Sequence, residues 1–435
     1  MSENNQISHS RRRKKNRNIV IGIVLAAFAV TIGGLYYITK NYIPASPSDH
    51  IQSTTTTKAS TTTQPPVTEP DLSTPNLKIQ FAGDVLLHSK PVSGAKTGEN
   101  TYDFNPYFTQ MKEYVDGDLS ICNMEGPVDS YGNNQKISYY PQFNSPYEIL
   151  EGIKNMGFNF VTTANNHTFD QHLEGLINTR NNVIKSGLDF TGTNETQEQH
   201  DTYYIKEYNG IKVGVIAYSA LDNGLSGVIP KDARKYVMRM FNSSPDSPDI
   251  LKMINEIQAC KSAGAEFVIV SLHWGIEYVD TPPDGFQEIA RQLCDGGADI
   301  IMGNHSHCVQ PIEKYTATRA EGKKETLIIY SLGNFFADQI ALNMGKTQYG
   351  MIVNVNIHKN KQGEIEFGEC NYVPTLTYRY QKSNGTYGFY LLPAGKMMDA
   401  QERPEVFQTD ADWQKAKKAW EHVTKVVGDD IPASK

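Results

Sequence analysis

The chain has 435 residues, which allows two or three domains, or one large domain with appendages. Hydrophobic residues make up 39% and charged residues 20% of the sequence, a composition that excludes a largely disordered chain. Residues 1–18 carry six Lys or Arg and one acid, so the remainder holds 35 basic and 47 acidic residues. We therefore expect no nucleic acid partner, because phosphate binding requires clustered Lys and Arg side chains.

Residues 19–38 form an uncharged apolar run of 20 residues, about the length with which a helix crosses ~30 Å of hydrocarbon. Because the basic residues 1–18 precede it, the positive-inside rule predicts a single-pass membrane anchor with a cytoplasmic N-terminus. The large domain is then expected outside the cell. A cleaved signal peptide is the alternative, but the apolar run is long for one and no Ala-x-Ala cleavage site follows.

The rest of the chain divides by composition. Residues 39–75 are rich in Thr, Ser and Pro, which predicts an extended linker reaching about 35 Å. Over residues 76–395, short apolar runs alternate with amphipathic stretches, which predicts an α/β domain. Two late runs, 351–360 and 364–380, have no helix between them and predict an antiparallel hairpin. Residues 396–435 are predicted to form a C-terminal helical tail, either packed on the domain or projecting from it.

Polar side chains of metal-binding type follow five of the apolar runs. These residues are Asp84, Glu125, Asn166, His167, His273, His305 and His307. Ligands in open α/β sheets bind beyond the carboxyl ends of the strands, so we expect these side chains to meet at one edge. Each residue alone has an ordinary interpretation as a turn or core residue, and only their joint placement carries the prediction.

The chemistry of this set predicts a site for divalent metal ions. Carboxylate, amide and neutral imidazole ligands suit Zn, Mn and Fe alike, so the sequence leaves the metal open. In the His-x-His pair, His305 and His307 can direct both rings toward one place. Two ions about 3.5–4 Å apart at such a site would hold a phosphoryl oxygen and activate water near neutral pH.

Six segments also carry a family resemblance. In chain order they read FAGDVLLH, CNMEGPV, TTANNHTFD, SLHWGIEY, GNHSHCVQPIE and YSLGNFFADQ. Over about residues 76–375 the chain resembles the CapA family, which is associated with poly-γ-glutamate capsule biosynthesis. That family is similar to the calcineurin-like metallophosphatases, so the resemblance implies a four-layer α/β/β/α sandwich with a dinuclear metal centre at the strand ends.

The resemblance also assigns roles to residues. It implies six metal ligands, which are Asp84, Glu125, Asn166, His273, His305 and His307. Glu125 would bridge the ions, His167 would contact substrate and protonate the leaving group, and Asp170 would orient His167. The metallophosphatase pattern has a His two residues after the first Asp, where this chain has Leu86, and His88 is the nearest replacement. One metal site is therefore expected to be incomplete.

Two further asparagines bear on the site. Asn304 stands where relatives in the capsule family often have His. Asn334 lies at the end of a predicted strand. Its side chain either fixes a neighbouring ligand loop or simply stabilises a turn.

The sequence leaves two classes of function open. One is an extracellular metal-dependent phosphoesterase or other hydrolase acting on an anionic cell-surface polymer. The other is a non-catalytic scaffold of a capsule machine, working with other synthesis and export components. A wall-polymer deacetylase is a weaker alternative, which the number and order of the motifs disfavour. We favour the capsule-family interpretation, with poly-γ-glutamate or a related anionic polymer as the substrate class.

Overall fold

The structure is a computed structural model that describes residues 76–130, 136–340, 342–399, 404–405, 407 and 409–435. The predicted basic tail, membrane anchor and linker of residues 1–75 lie outside these residues. Among the helices that are described, none combines the length and the hydrophobicity that crossing a membrane requires.

Fourteen β-strands form the described part of the chain together with a smaller number of helices. In chain order the strands are β1 Asn76–Leu86, β2 Leu119–Met124, β3 Phe160–Thr162, β4 Asp189–Thr191, β5 Tyr204–Tyr208, β6 Ile211–Ser219, β7 Phe267–His273, β8 Ile300–Asn304, β9 Ile312–Arg319, β10 Gly322–Ile329, β11 Asn334–Ala337, β12 Tyr349–Lys359, β13 Ile365–Gln381 and β14 Tyr387–Pro393.

The described α-helices are α1 Ser89–Ala95, α2 Asn105–Phe108, α3 Glu148–Met156, α4 His172–Ser186, α5 Gln197–His200, α6 Pro248–Ser262, α7 Asp284–Asp295 and α8 Asp410–Val427. Short 3-10 helices cover Lys112–Tyr114, Ser226–Val228, Asn343–Gln348 and Lys396–Met398. Side-chain caps fix the start of two long helices. The Ser247 side chain accepts a hydrogen bond from the Asp249 backbone N–H at α6, and Thr409 and Asp412 form a reciprocal capping box at α8.

The strands form two mixed sheets. Within the described residues the first sheet has the order β14-β13-β12-β1-β2-β3-β4, and β11 adds a parallel pairing to β1. Strands β1 to β4 run parallel to one another, whereas β12 to β14 are antiparallel to their neighbours. The hairpin predicted over 351–360 and 364–380 is confirmed as β12 and β13.

The second sheet has the order β5-β6-β7-β8-β10-β9. Its central strands β6, β7, β8 and β10 are parallel, and the two edge strands pair antiparallel. Strand β7 is buried along its whole length. Parallel strands that are covered on both faces have this continuous apolar character, and for this reason the strands could be predicted from apolar runs in the sequence.

The two sheets pack face to face around one central core cluster. Phe81 and Ile121 enter it from the first sheet, and Val215 and Ile269 enter it from the second. Removing this apolar surface from water is the main favourable term in folding.

Helices cover the outer faces of both sheets. Phe108 and Ile153 of α2 and α3 pack on the first sheet, and Ile257 and Leu293 of α6 and α7 pack on the second. The layers therefore follow the order α/β/β/α, and the predicted α/β class with two sheets is confirmed.

Helix α8 packs on the domain. Its residues Ala416, Ala419 and Val423 are fully buried in the central core cluster. Beyond the helix, Ala433 forms a parallel bridge with Tyr372 of β13, whose backbone N–H donates to the Pro432 carbonyl at 3.1 Å. The tail, which the sequence allowed either to pack or to project, thus contributes to the core.

Candidate metal centre

The carboxyl ends of strands from both sheets meet at one place. In the first sheet, Asp84 is in register with Asn123 of β2 and with Asn334 of β11. In the second sheet, His273 at the end of β7 is in register with Asn304 at the end of β8. The backbone N–H of His305, just after β8, donates to the Asp84 carboxylate at 3.1 Å and so joins the two sheets.

A β-bulge at Gly83 aims the Asp84 side chain into this junction. Ile79 and Phe81 point toward the central core, so regular alternation would turn position 84 to the opposite face. The pairing of β1 with β2 shifts register between Ala82 and Asp84, which turns the carboxylate inward. Only glycine fits at the bulge, because a Cβ at position 83 would lie 1.8 Å from the carbonyl oxygen of Gly333.

The structure brings five of the predicted ligands into two overlapping groups. Glu125, His273 and His305 form one group, and Asp84, Glu125 and His307 form the other. Within each group the ligand atoms lie within 4.8 Å of one another. Glu125 belongs to both groups, with one carboxylate oxygen 3.7 Å from His273 Nε2 and 3.9 Å from His307 Nε2.

The His-x-His pair has an unusual backbone. His305 has φ 95° and His307 has φ 56°, both in the left-handed region that side chains with a Cβ rarely adopt. Such strain persists only where the surroundings hold it, and it clusters at functional sites. Here the hydrogen bond from His305 to Asp84 and the packing of Tyr278 on the His307 ring, with centroids 5.9 Å apart, hold the segment.

Burial sets the protonation of the candidate ligands. Desolvation raises the pKa of Asp84 to about 7 and raises the pKa of Glu125 well above its usual range. It also lowers the pKa of His305 to about 4 and of His307 to about 3, and holds the pKa of His273 well below its usual range. The imidazoles are therefore neutral at physiological pH, which is the form that binds metal.

These residues fit divalent cations. Glu125 is fully buried, and among the described residues neither of its carboxylate oxygens has a hydrogen-bond partner. Burying a carboxyl group without partners is unfavourable, and a cation removes that penalty. The donor set of carboxylates, imidazoles and amide oxygens is one that Zn, Mn and Fe accept.

Asparagines hold the ligands in position. Asn123 Nδ2 donates to Asp84 Oδ1 at 2.7 Å and lies 3.3 Å from His273 Nδ1, so it connects ligands of both groups. Asn334 Oδ1 accepts a hydrogen bond from His307 Nδ1 at 2.9 Å, which leaves Nε2 of that ring free to bind metal. Asn334 was a predicted site residue, whereas Asn123 was not identified from the sequence.

Asn166 and His167 border the centre from the loop after β3. Asn166 Oδ1 accepts a hydrogen bond from His273 Nε2 at 2.8 Å, so the predicted amide ligand lies beside a predicted imidazole ligand. His167 Nδ1 donates to Asp170 Oδ2 at 2.8 Å, and the ring packs edge-on against Phe143 with centroids 4.8 Å apart. Asp170 also accepts from the Phe143 backbone N–H at 2.7 Å, so the acid that orients His167 is itself fixed.

The predicted replacement ligand is in neither ligand group, and two further residues near the site were not predicted. Among the described residues, His88 belongs to neither ligand group, and its ring packs edge-on against Phe143. Two residues that the sequence did not reveal approach the site. Asn223 Nδ2 lies 3.4 Å from His167 Nδ1, and Glu277 Oε1 lies 4.0 Å from His307 Nε2. Glu277 lies within SLHWGIEY, four residues after His273, so its position in that motif was the available signal.

The fold and the site together define a class: an α/β protein whose strand ends present a buried set of candidate ligands for divalent metal ions. Residues 78–339 match the family described as "Bacterial capsule synthesis protein PGA_cap". The chain therefore belongs to this family, and the resemblance to CapA proteins is confirmed.

Two relatives carry capsule-related names. The "PGA biosynthesis protein CapA" of Bacillus subtilis (strain 168) is 27% identical over 300 residues, which are 67% of this chain and 70% of that protein. The "Capsule biosynthesis protein CapA" of Bacillus anthracis is 29% identical over 268 residues, which are 60% of each chain. The match thus spans less than two thirds of the Bacillus anthracis protein.

Two solved structures are similar in fold. The NAD nucleotidase of Haemophilus influenzae has a TM-score of 0.41 at 13% identity, covering 82% of this chain and 64% of that chain. The calcineurin-like phosphoesterase YfkN from Bacillus subtilis has a TM-score of 0.40 at 14% identity, covering 80% of this chain and 99% of that chain. At these identities the likeness concerns the fold alone.

Proposed function

We propose that this protein is a membrane-anchored component of capsule biosynthesis or export that carries two divalent cations and acts on an anionic polymer. Membership of the capsule synthesis family supports the process. The name of the Bacillus subtilis relative, a PGA biosynthesis protein, supports poly-γ-glutamate or a related polymer as the substrate class, and the name of the Bacillus anthracis relative supports a role in capsule biosynthesis. The apolar run over residues 19–38 supports a single-pass anchor with the large domain outside the cell, where it would meet other capsule components.

One observation carries the proposal, which is the position of Glu125 in both ligand groups. A carboxylate with two unpartnered oxygens can bridge two cations, one toward His273 and His305 and one toward Asp84 and His307. Asn166 would add an amide oxygen on the His273 side. When bound, two such ions stabilise negative charge on a reacting oxygen and generate a nucleophile from water near neutral pH.

The chain's own residues provide the proton transfer. His167 directs its Nδ1–H at Asp170, so in the doubly protonated ring the proton on Nε2 is the one that can pass to a leaving group, which leaves a neutral ring with its proton on Nδ1. Asp170 holds the imidazole in that tautomer and stabilises the charged ring, as the acid of a catalytic dyad does. His167 would therefore be the general acid and Asp170 its positioning residue.

The substrate class is constrained by charge. Outside residues 1–18 the chain has 47 acidic and 35 basic residues, so its own surface charge repels an anionic polymer. The cations would supply the local positive charge for recognition. Binding of polymer is thus expected to depend on metal.

The test uses the full-length chain purified in detergent, with metal content measured by elemental analysis after saturation with Mn²⁺ or Zn²⁺. We expect two ions per chain in the wild type and none in Glu125→Gln. The control is Glu421→Gln, an exposed acid on α8 whose side chain is 59% accessible, and it should retain both ions. A wild-type chain that binds no cation at saturation would contradict the proposal.

Turnover is measured on the same preparations, with a chromogenic phosphoester and with the chain length of poly-γ-glutamate as readouts. We expect His167→Asn to lower turnover about 100-fold with metal content unchanged, because it removes the general acid alone. A protein that binds two ions but converts none of these substrates would instead be a non-catalytic scaffold of the capsule machine.

A further inference from the structure

Asn304 is a buried amide without partners. It ends β8, directly before the candidate ligand His305, and only 1% of its surface is accessible. Within the residues that the structure describes, neither Oδ1 nor Nδ2 of Asn304 has a hydrogen-bond partner. Buried side-chain amides in folded proteins are nearly always paired, so this one requires an explanation.

The pleat of β8 directs the Asn304 side chain toward the metal centre. Ile300 and Met302 belong to the core cluster between the sheets, whereas Ile301 belongs to the cluster under the outer helices. Since side chains alternate along a strand, Asn304 points to the same side as Ile300 and Met302. Its partner in register on β7 is His273, which belongs to a candidate ligand group.

Other asparagines around the centre behave differently. Asn123 donates to Asp84 and accepts from Thr162 Oγ1 at 3.0 Å. Asn334 accepts from His307 and donates to the Thr347 carbonyl at 2.9 Å. These two amides are engaged at both ends by protein atoms, so neither has the unpartnered atoms that Asn304 has.

We propose that Asn304 is a further metal ligand, which supplies its amide oxygen to the ion held by Glu125, His273 and His305. The inference rests on the proposed metal centre and extends its ligand set. A neutral oxygen completes a coordination shell without adding negative charge to a centre that already holds Asp84 and Glu125. A bound cation would then be the partner that the amide oxygen lacks among the described residues.

The additional oxygen would also make this site bind one metal in preference to another. With Asn166, the group would offer three oxygens and two imidazole nitrogens, five protein ligands in all. Zn²⁺ favours four ligands in tetrahedral geometry, whereas Mn²⁺ accepts six in octahedral geometry with more oxygen. Asn304 is therefore a residue that favours Mn²⁺ over Zn²⁺ at this ion.

The experiment titrates the metal-free, full-length chain with Mn²⁺ alone and with Zn²⁺ alone, and measures ion affinity and the metal-dependent shift in melting temperature. We expect Asn304→Ala to weaken Mn²⁺ binding about 10–100-fold, and Zn²⁺ binding by less. The matched control is Asn354→Ala. Asn354 is also buried, but it is paired at both ends, accepting from Gln80 and donating to Asn371 at 2.7 Å each. That variant should lower the melting temperature without changing the affinity for either ion.

A second variant, Asn304→Asp, has almost the same volume and keeps the test decisive if the alanine variant does not fold. A carboxylate that faces the ion retains Mn²⁺ binding, and added Mn²⁺ raises its melting temperature at least as much as in the wild type. A carboxylate that faces no ion is an unpaired buried charge whose destabilisation Mn²⁺ does not reverse, and this result would overturn the inference. Unchanged Mn²⁺ affinity in Asn304→Ala would also overturn it, whereas a wild-type chain that binds no ion would refute the metal centre itself.

Discussion

Two buried polar groups of the first sheet, Gln80 in β1 and Glu125 directly after β2, differ in one respect. The side chain of Gln80 is fully buried, and its amide nitrogen donates to the Tyr114 carbonyl at 2.8 Å and to Asn354 Oδ1 at 2.7 Å. Its oxygen accepts from the backbone N–H of Gly117 at 2.7 Å and from Ser120 Oγ at 2.9 Å. Every polar atom of this side chain has a partner within the fold.

Directly after β2, which pairs with β1, Glu125 is equally buried, and its carboxylate oxygens have no hydrogen-bond partner among the described residues. Folding offsets the desolvation of Gln80 with hydrogen bonds, but it leaves the desolvation of Glu125 uncompensated. The difference separates a polar group that belongs to the fold from one that is arranged for a ligand. We therefore expect a variant at Gln80 to keep the stabilisation by added metal and a variant at Glu125 to lose it.

The largest effect is expected at Gln80. In Gln80→Ala several buried groups lose their partners, so the free energy of unfolding should fall by about 3 kcal/mol. The stabilisation that saturating Mn²⁺ adds should remain that of the wild type, as measured by urea unfolding with and without the ion. Gln362→Ala, at an exposed turn, is the control and should change neither quantity. Loss of the Mn²⁺ effect in Gln80→Ala would show that Gln80 and the candidate metal centre are not independent.

At Glu125 the metal effect itself should vanish. An ion at 100 times its dissociation constant stabilises the native state by about 2.7 kcal/mol, and Glu125→Gln should remove this increment. Urea unfolding of the variant at several Mn²⁺ concentrations tests the expectation. A concentration-dependent midpoint in Glu125→Gln would mean that the ions bind elsewhere.

Acidification should weaken the metal centre. Since burial raises the pKa of Asp84 to about 7, protons compete with the ion for this carboxylate below that pH. If the ion displaces one proton from Asp84, its apparent affinity for the protein should fall about tenfold between pH 8 and pH 6. Titration calorimetry in buffers of different ionisation enthalpy measures both the affinity and the released protons. An affinity that is constant over this range would contradict the assignment of Asp84 as a ligand.

The smallest effect concerns the metal-free protein. Because burial raises the folded-state pKa of Glu125 above its unfolded value, its contribution to stability is lost as the pH rises above the unfolded value. Glu125→Gln should therefore raise the free energy of unfolding of the metal-free chain at pH 8, and should raise it by less at pH 5. Urea unfolding in the presence of a chelator measures this gain. A variant that is less stable than the wild type under these conditions would indicate an unseen partner for Glu125.

Much of the centre could be predicted because its ligands directly follow continuous apolar runs. The runs that become β7 and β8 are buried along their length, so His273 and His305 were expected at one sheet edge. Asn123 was not predicted as a site residue because it lies within the apolar run of β2. In such a run the sequence does not reveal toward which face of the sheet a side chain points. Asn223 lies on a loop beyond β6, and only the tertiary fold brings it to His167.

Local geometry explains why His88, which its spacing suggested as a replacement ligand, belongs to neither ligand group. His88 lies four residues after Asp84, near enough in sequence to replace a ligand. The helix α1 begins at the next residue, Ser89, and places His88 at its N-cap with its ring against Phe143. Helix α8 was predicted as part of the C-terminal tail, but its burial in the central core cluster depends on tertiary packing that no local pattern encodes.

The bulge at Gly83 makes the candidate metal centre sensitive to chain length as well as to composition. Inserting one residue between Gly83 and Asp84 would carry the Asp84 carboxylate to the helix-covered side of the sheet, because side chains alternate along a strand, although every ligand residue would still be encoded. When sequences of this family are compared, a one-residue gap at this point therefore signifies more than a substitution of any single side chain nearby.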